Sequence, residues 1–135
     1  MKTVEVVAAA IFEGDRVLCV QRGPNEKAYI SKKWEFPGGK IEAGESHETA
    51  LAREIREELK LQIHVGEHLV SVDHRYEHFR LVMHVYSCHA LSGPLQLTEH
   101  LDHRWLRPAE MNDLDWAAAD VPVVKALQGL ENSGQ

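Results

Sequence analysis

Glu54, Glu57 and Glu58 stand at positions i, i+3 and i+4 of the stretch "GGKIEAGESHETALAREIREELKL", which runs from Gly38 to Leu61. On an α-helix that spacing places three carboxylates side by side on one face. Like charges so placed cost roughly 0.2–0.5 kcal/mol per pair, and Arg53 and Arg56 offset only part of this. A solvated acidic face is one explanation; a bound cation is the other. A hard divalent ion such as Mg²⁺ takes oxygen ligands and bridges to phosphate, which accounts for clustered glutamate better than exposure does. The glycines Gly38 and Gly39, followed by Lys40, bring flexible backbone and a positive charge to the start of the same segment.

These side chains need a frame. The runs Val4 to Phe12 and Arg16 to Gln21, separated by the turn "EGD", predict a hairpin. A polar loop, "RGPNEKAYISKK", then leads to "WEFPGG". Leu51, Ile55 and Leu59 recur every fourth residue behind the N-cap candidate Ser46, which predicts a helix with its apolar stripe opposite the glutamates. From Gln62 the pattern returns to strand. "HLVSVDH" and "FRLVMHVYSC", joined by the polar "RYEH", predict a second hairpin, and "GPLQL" and "HRWL" read as short strands. Pro108 opens a brief helical turn, "ADVPVVKALQGL" closes as a helix with Pro122 in its first turn, and "ENSGQ" reads as a frayed end. Strands, helix, strands, helix: that order predicts an α/β fold, a mixed sheet with helices on both faces.

Composition narrows the chemistry. The 135 residues fall in the size range of one domain, expected to span 1–135. A formal net charge of −6 argues against sequence-independent binding to nucleic acid or to an anionic membrane surface, since clustered Lys and Arg drive both. A polyanionic substrate would then need a metal or a local basic pocket. Cys19 and Cys88 lie far apart in apolar runs without CxxC spacing, so they read as reduced core thiols and not as zinc ligands. No stretch approaches the ~18 apolar residues of a membrane span, and the expectation is a cytoplasmic protein, monomeric or weakly dimeric. Gly39 and Gly44 have P-loop spacing but are followed by Glu45 and Ser46, which excludes that motif. His74 and His78 read as surface or edge residues.

Gly39, Glu45, Arg53, Glu54, Ile55, Glu57, Glu58 and Leu61 match the box of the Nudix hydrolases, G-x5-E-x7-R-E-U-x-E-E-x-G-U, over residues 39–61. The segment resembles that family closely, with one departure: Lys60 stands where the pattern has glycine. A left-handed backbone at a lysine there would cost on the order of 1 kcal/mol, a matter of stability and not of chemistry. "WEFPGGKIE", a strand ending in "QR", "TEHLDHRW" and "AADVPVV" extend the resemblance over nearly the whole chain to the MutT-type branch and the small pyrimidine-nucleotide pyrophosphohydrolases. It implies an α/β/α sandwich. It also implies hydrolysis of a nucleoside triphosphate to monophosphate and pyrophosphate with Mg²⁺, or Mn²⁺ as a substitute.

Residue roles carried over by that resemblance are specific. Glu57 and Glu58 are direct metal ligands, with the Gly38 carbonyl as a third contact. Glu54 is a metal ligand or the general base, Arg53 orients it, Glu45 holds loop and helix together, and Glu99 joins the metal site from a loop. Arg22 and Lys40 contact the triphosphate. Phe79 is a candidate for the base pocket. Asp120 contacts the base and, at the start of the last helix, can also serve as its N-cap. An ionised Asp120 accepts two hydrogen bonds, which suits guanine N1–H and its 2-amino group; a protonated one suits the N3 and 4-amino edge of cytosine. Pairing geometry leans towards a guanine-type base such as that of 8-oxo-dGTP, whereas the whole-chain likeness leans towards CTP, dCTP and 5-substituted dCTP, and both stay open. Two other readings stand beside it: a dinucleoside polyphosphate hydrolase, for which Tyr76 lies near the expected spacing after the box, and a non-catalytic ligand-sensing Nudix module.

Overall fold

The structure is a computed structural model and describes residues 1–133. Two long strands, β1 (Lys2–Glu13) and β2 (Arg16–Arg22), turn through Gly14, whose φ of 62° is the left-handed conformation that tight turn requires. Two short strands follow, β3 (Trp34–Glu35) and β4 (Gly38–Lys40), then helix α1 (His47–Leu59). The hairpin of β5 (Gln62–Arg75) and β6 (Phe79–Ser92) leads to β7 (His100–Leu106), 3₁₀ turns over Pro108–Asp113 and Ala118–Asp120, and helix α2 (Val121–Ser133).

The sheet is mixed, as its sequence pattern predicts. Its main path runs β3-β2-β1-β6-β5, with β1 parallel to β6 from Lys2↔Phe79 to Phe12↔His89. One edge of β1 is shared: β4 pairs with Val6–Ala8, and β2 takes over at Phe12 and Glu13. β7 lies antiparallel along β2. Alternation along β1 feeds two cores. Val7, Ala9 and Ile11 pack with Leu51, Ile55 and Leu59 of α1 on one face, and Ala8 and Ala10 pack with Val123, Val124 and Leu127 of α2 on the other. The result is an α/β/α sandwich.

Helix α1 starts where its sequence says it should. Ser46 Oγ accepts from the Thr49 N–H at 3.1 Å. At the other end Lys60 adopts φ 58° and ψ 28°, the left-handed conformation the family pattern assigns to glycine, and its N–H reaches Arg56 O at 3.1 Å.

Two expectations need correction. "GPLQL" is not a strand. Its backbone is spent on the end of α1: Gln96 N–H donates to Leu59 O and Thr98 N–H to Glu58 O, while Thr98 Oγ lies 3.0 Å from the carbonyls of both Glu57 and Glu58. A helix C-terminus leaves carbonyls without partners, and here a crossing segment supplies them. The frayed end also begins later than expected, because α2 continues through Glu131 to Ser133; the rest of "ENSGQ" lies outside the described residues.

Candidate active site

A cleft of about 790 Å³ opens beside β1. Its apolar floor comes from strand alternation: Val4 and Val6 of β1 lie in register with Leu81 and Met83 of β6, and all four line it. Glu58, Glu99, Gly38, Gly39, Lys40 and Arg22 gather in the wall, and Phe79, Tyr76 and Asp120 also line the cleft. The structure thus brings seven of the expected site residues to one cavity: Arg22, Gly38, Lys40, Glu58, Phe79, Glu99 and Asp120. Arg53, Glu54 and Glu57 are not among its lining residues.

Those three are linked to one another through Arg53. Arg53 grips Glu45 with a two-pronged contact, Nε to Oε2 at 2.7 Å and Nη2 to Oε1 at 2.8 Å. Its Nη1 reaches Glu54 at 3.0 Å and Glu57 at 3.4 Å, and Nη2 donates to the Lys40 carbonyl at 3.1 Å. One guanidinium therefore ties the glycine loop to α1. Glu45 also accepts from Glu42 N–H at 2.9 Å. The Arg53 hydrogen bond first, and that backbone bond second, pull the Glu45 carboxyl down to about 2. Glu54 is packed against Gly39 so closely that a β-carbon there would collide with its carboxyl, and one on Gly38 would collide with the Val7 carbonyl. Backbone therefore demands glycine at position 38, whereas at Gly39 the obstacle is the end of the Glu54 side chain.

Glu58 is the anomaly. It is only 7% exposed, and its Oε1 is buried with no hydrogen-bond partner. Burial first, then the charges of Glu54 and Glu35, a hydrogen bond shared with Glu54, and last the Glu99 charge push its carboxyl up to about 9. A buried carboxylate normally finds a partner, and an unpaired one is costly. The missing partner has the character of a cation with affinity for hard oxygen, so the residues present fit a divalent ion. Among the described residues no three His, Cys, Asp or Glu side chains converge as a finished metal centre, because Glu57 is 57% exposed and turned to Arg53.

At Asp120 the N-cap expectation is corrected. Asp120 precedes α2 directly, but its Oδ1 accepts the N–H of Phe36 at 3.0 Å. Pro122, at the second helical position, removes one of the two N–H groups a capping side chain can accept, and the carboxyl is instead turned inward to the "WEFPGG" loop. It is 5% exposed, and burial first, the Glu35 charge second, raise it well above the usual carboxylate range. Phe79 stacks on Tyr76 at 5.1 Å, and Tyr76 Oη accepts from Ala119 N–H at 3.3 Å.

Two cleft residues were not singled out from the sequence. Glu35 accepts from Arg22 Nε at 2.8 Å, and its other oxygen lies 3.1 Å from His100 Nε2. Glu35 sits inside "WEFPGG", where strand alternation beside the buried Trp34 and Phe36 was the available signal. His100 carried none, being one of nine histidines in the chain.

A two-helix sandwich whose glycine loop feeds a glutamate-bearing helix defines a class, the small α/β/α hydrolases. The chain belongs to the Nudix family: the model described as the NUDIX domain matches residues 6–126, and the chain is a Nudix hydrolase of the MutT type. The CTP pyrophosphohydrolase of Escherichia coli K12 is 38% identical over 133 residues, covering 96% of this chain and 95% of that protein. A Mycobacterium tuberculosis relative with the provisional name 8-oxo-dGTP diphosphatase 2 is 39% identical over 123 residues, 85% of this chain and 81% of its own. The solution structure of the E. coli ORF135 protein superposes with a TM-score of 0.84 at 36% identity, over 98% of this chain and 94% of that one.

Proposed function

We propose that this protein is a Mg²⁺-dependent nucleoside triphosphate pyrophosphohydrolase that yields a nucleoside monophosphate and pyrophosphate, with a preference for a cytosine-type base. The observation that carries the hydrolytic reading is the buried, unpartnered Glu58 oxygen among other carboxylates. Glu57, Glu58, Glu99 and the Gly38 carbonyl would hold the ion, and Glu54 shares in this or acts as base. When bound, the ion supplies charge neutralisation at the phosphates and acidifies the attacking water. Glu54, steadied by Arg53, would accept a proton from the attacking water, and Arg22 and Lys40 would bind the phosphate oxygens.

The choice of base rests on Asp120. Burial first and the Glu35 charge second favour its neutral carboxyl, which offers one donor and, beside the Phe36 N–H that Oδ1 already accepts, one acceptor. That pair complements N3 and the 4-amino group of cytosine. On the pairing edge of guanine it can meet O6 and N1–H, which leaves the 2-amino group without a partner from this residue. The 38% identical CTP pyrophosphohydrolase supports the same reading.

The test is a comparison of kcat/KM for CTP, dCTP, 5-methyl-dCTP, dGTP, 8-oxo-dGTP and ATP, which reports discrimination directly. Cytosine nucleotides should lead at neutral pH, and their lead should narrow as pH rises and Asp120 ionises. Asp120→Ala should flatten the preference by about tenfold to a hundredfold, the worth of a charge-assisted or buried hydrogen bond, while hydrolysis of the poorest substrate falls least. A lead by 8-oxo-dGTP that grows with pH would replace the cytosine reading with the guanine one. Full activity in excess chelator would defeat the metal assignment.

A further inference from the structure

His100 has no part in the reaction as described, yet it is one of the most enclosed polar groups of the cleft. Its side chain is 5% exposed. It begins β7, and its Nδ1 is buried without a hydrogen-bond partner. With the proton on Nε2, the neutral ring donates to Glu35 Oε2 at 3.1 Å and leaves only a lone pair unused at Nδ1. The opposite oxygen of Glu35 accepts from Arg22 Nε at 2.8 Å. Both oxygens of one carboxylate are thus committed, to side chains from β2 and β7, while Glu35 itself stands on β3.

The point of attachment on Arg22 matters. A carboxylate that took the Nη edge of a guanidinium would compete with phosphate for it. Glu35 takes Nε, and the Nη atoms make no hydrogen bond to any other described residue. Arg22 lines the cleft together with Gly39 and Lys40. A long side chain loses rotamer freedom when it binds, and fixing it beforehand lowers that cost.

We propose that His100 is a positioning residue: through Glu35 it holds Arg22 so that the free Nη edge of the guanidinium is presented to the triphosphate. Phosphate recognition then depends on a hydrogen-bonded chain across three strands, His100 to Glu35 to Arg22. The inference rests on the reading of the cleft as a nucleoside triphosphate site.

The experiment compares His100→Leu, which removes the donor at similar volume, with His100→Gln, whose amide can replace Nε2 as donor. His100→Leu should raise KM for the preferred nucleotide about tenfold, the size of one lost charge-assisted hydrogen bond, with kcat little changed. His100→Gln should restore most of that loss. In an Arg22→Ala background the leucine substitution should add less than about twofold, since coupled residues are not additive. Loss of kcat at unchanged KM, or a full additional effect without Arg22, would overturn the proposal. If the leucine variant does not fold, His100→Asn, whose amide cannot reach the Nε2 position, takes its place in the same comparison.

A second readout needs no turnover. Arg22 Nε–H should exchange slowly with solvent in the ¹⁵N-labelled protein and faster in His100→Leu, and inorganic triphosphate should bind the variant about tenfold more weakly. Unchanged exchange or unchanged triphosphate affinity would overturn the positioning role. If the unaltered protein cleaves no nucleoside triphosphate, the functional proposal above fails and this second readout alone decides the role of His100.

Discussion

At Lys60 a single residue departs from its family pattern, and the backbone follows the pattern anyway, with φ at 58°. A non-glycine residue in that conformation carries a steric penalty that glycine avoids. Lys60→Gly should therefore stabilise the fold by about 1 kcal/mol in a denaturant titration, with substrate preference unchanged. Glu45 yields a pH prediction. Its folded pKa, about 2, lies below its ordinary 4.5, so the stability it contributes is fully present above about 4.5 and is lost as pH falls toward 2. The difference in denaturation midpoint between the unaltered protein and Glu45→Gln should shrink across that window, and a difference that persists at its acid end would show that the Arg53 contact is not what protects the carboxylate. These residues were legible from sequence because box spacing names them. Asp120 was legible only by position; what its carboxyl touches depends on Phe36, 84 residues away.

Between elements, the glycine loop and α1 act as one unit. Arg53 bonds to Glu45 and the Lys40 carbonyl on the loop side and to Glu54 on the helix side, and Gly39 leaves just the space that the Glu54 carboxyl occupies. Gly39→Ala meets only the end of a flexible side chain, so the fold should survive and Glu54 should be displaced. Turnover should fall by at least about a hundredfold, within the contribution of a positioned general base, while the thermal midpoint moves little. Retained turnover would remove Glu54 from the chemistry. Helical periodicity and the Ser46 cap made α1 readable in advance, and alternation did the same for the two hairpins. "GPLQL" misled because a segment of alternating apolar residues satisfies a strand pattern equally well when its leucines pack under a helix end. Leu95 and Leu97 do so here, beside the Leu59 carbonyl that Gln96 caps. Periodicity reports which side chains are buried and is silent on where backbone N–H groups are used.

For the molecule as a whole, folding brings together carboxylates that the chain keeps apart: Glu35 from β3, Glu54 and Glu58 from α1, and Glu99 from the approach to β7. No sequence periodicity encodes that gathering, since it follows from β7 pairing with β2 next to β3. In the absence of metal the gathering opposes folding, because Glu58 is buried and its neighbours are of like charge. Near neutral pH the buried Glu58 must take up a proton to fold, its pKa rising from the ordinary 4.5 to about 9, so Glu58→Gln removes that cost and should raise the thermal midpoint of the metal-free protein while reducing turnover by orders of magnitude. A divalent ion that binds only the folded state adds stability by mass action, about 2.7 kcal/mol at a concentration one hundred times its dissociation constant. For a chain of this size such a gain corresponds to a rise in midpoint of roughly 5–20 °C. Mg²⁺ should therefore stabilise the unaltered protein, Ca²⁺ should do so as well if the site selects only for hard oxygen ligation, and Glu58→Gln should lose most of the response. A midpoint indifferent to Mg²⁺ in the unaltered protein, or an undiminished rise in Glu58→Gln, would separate Glu58 from the ion and leave its buried oxygen to be explained by a shared proton with Glu54.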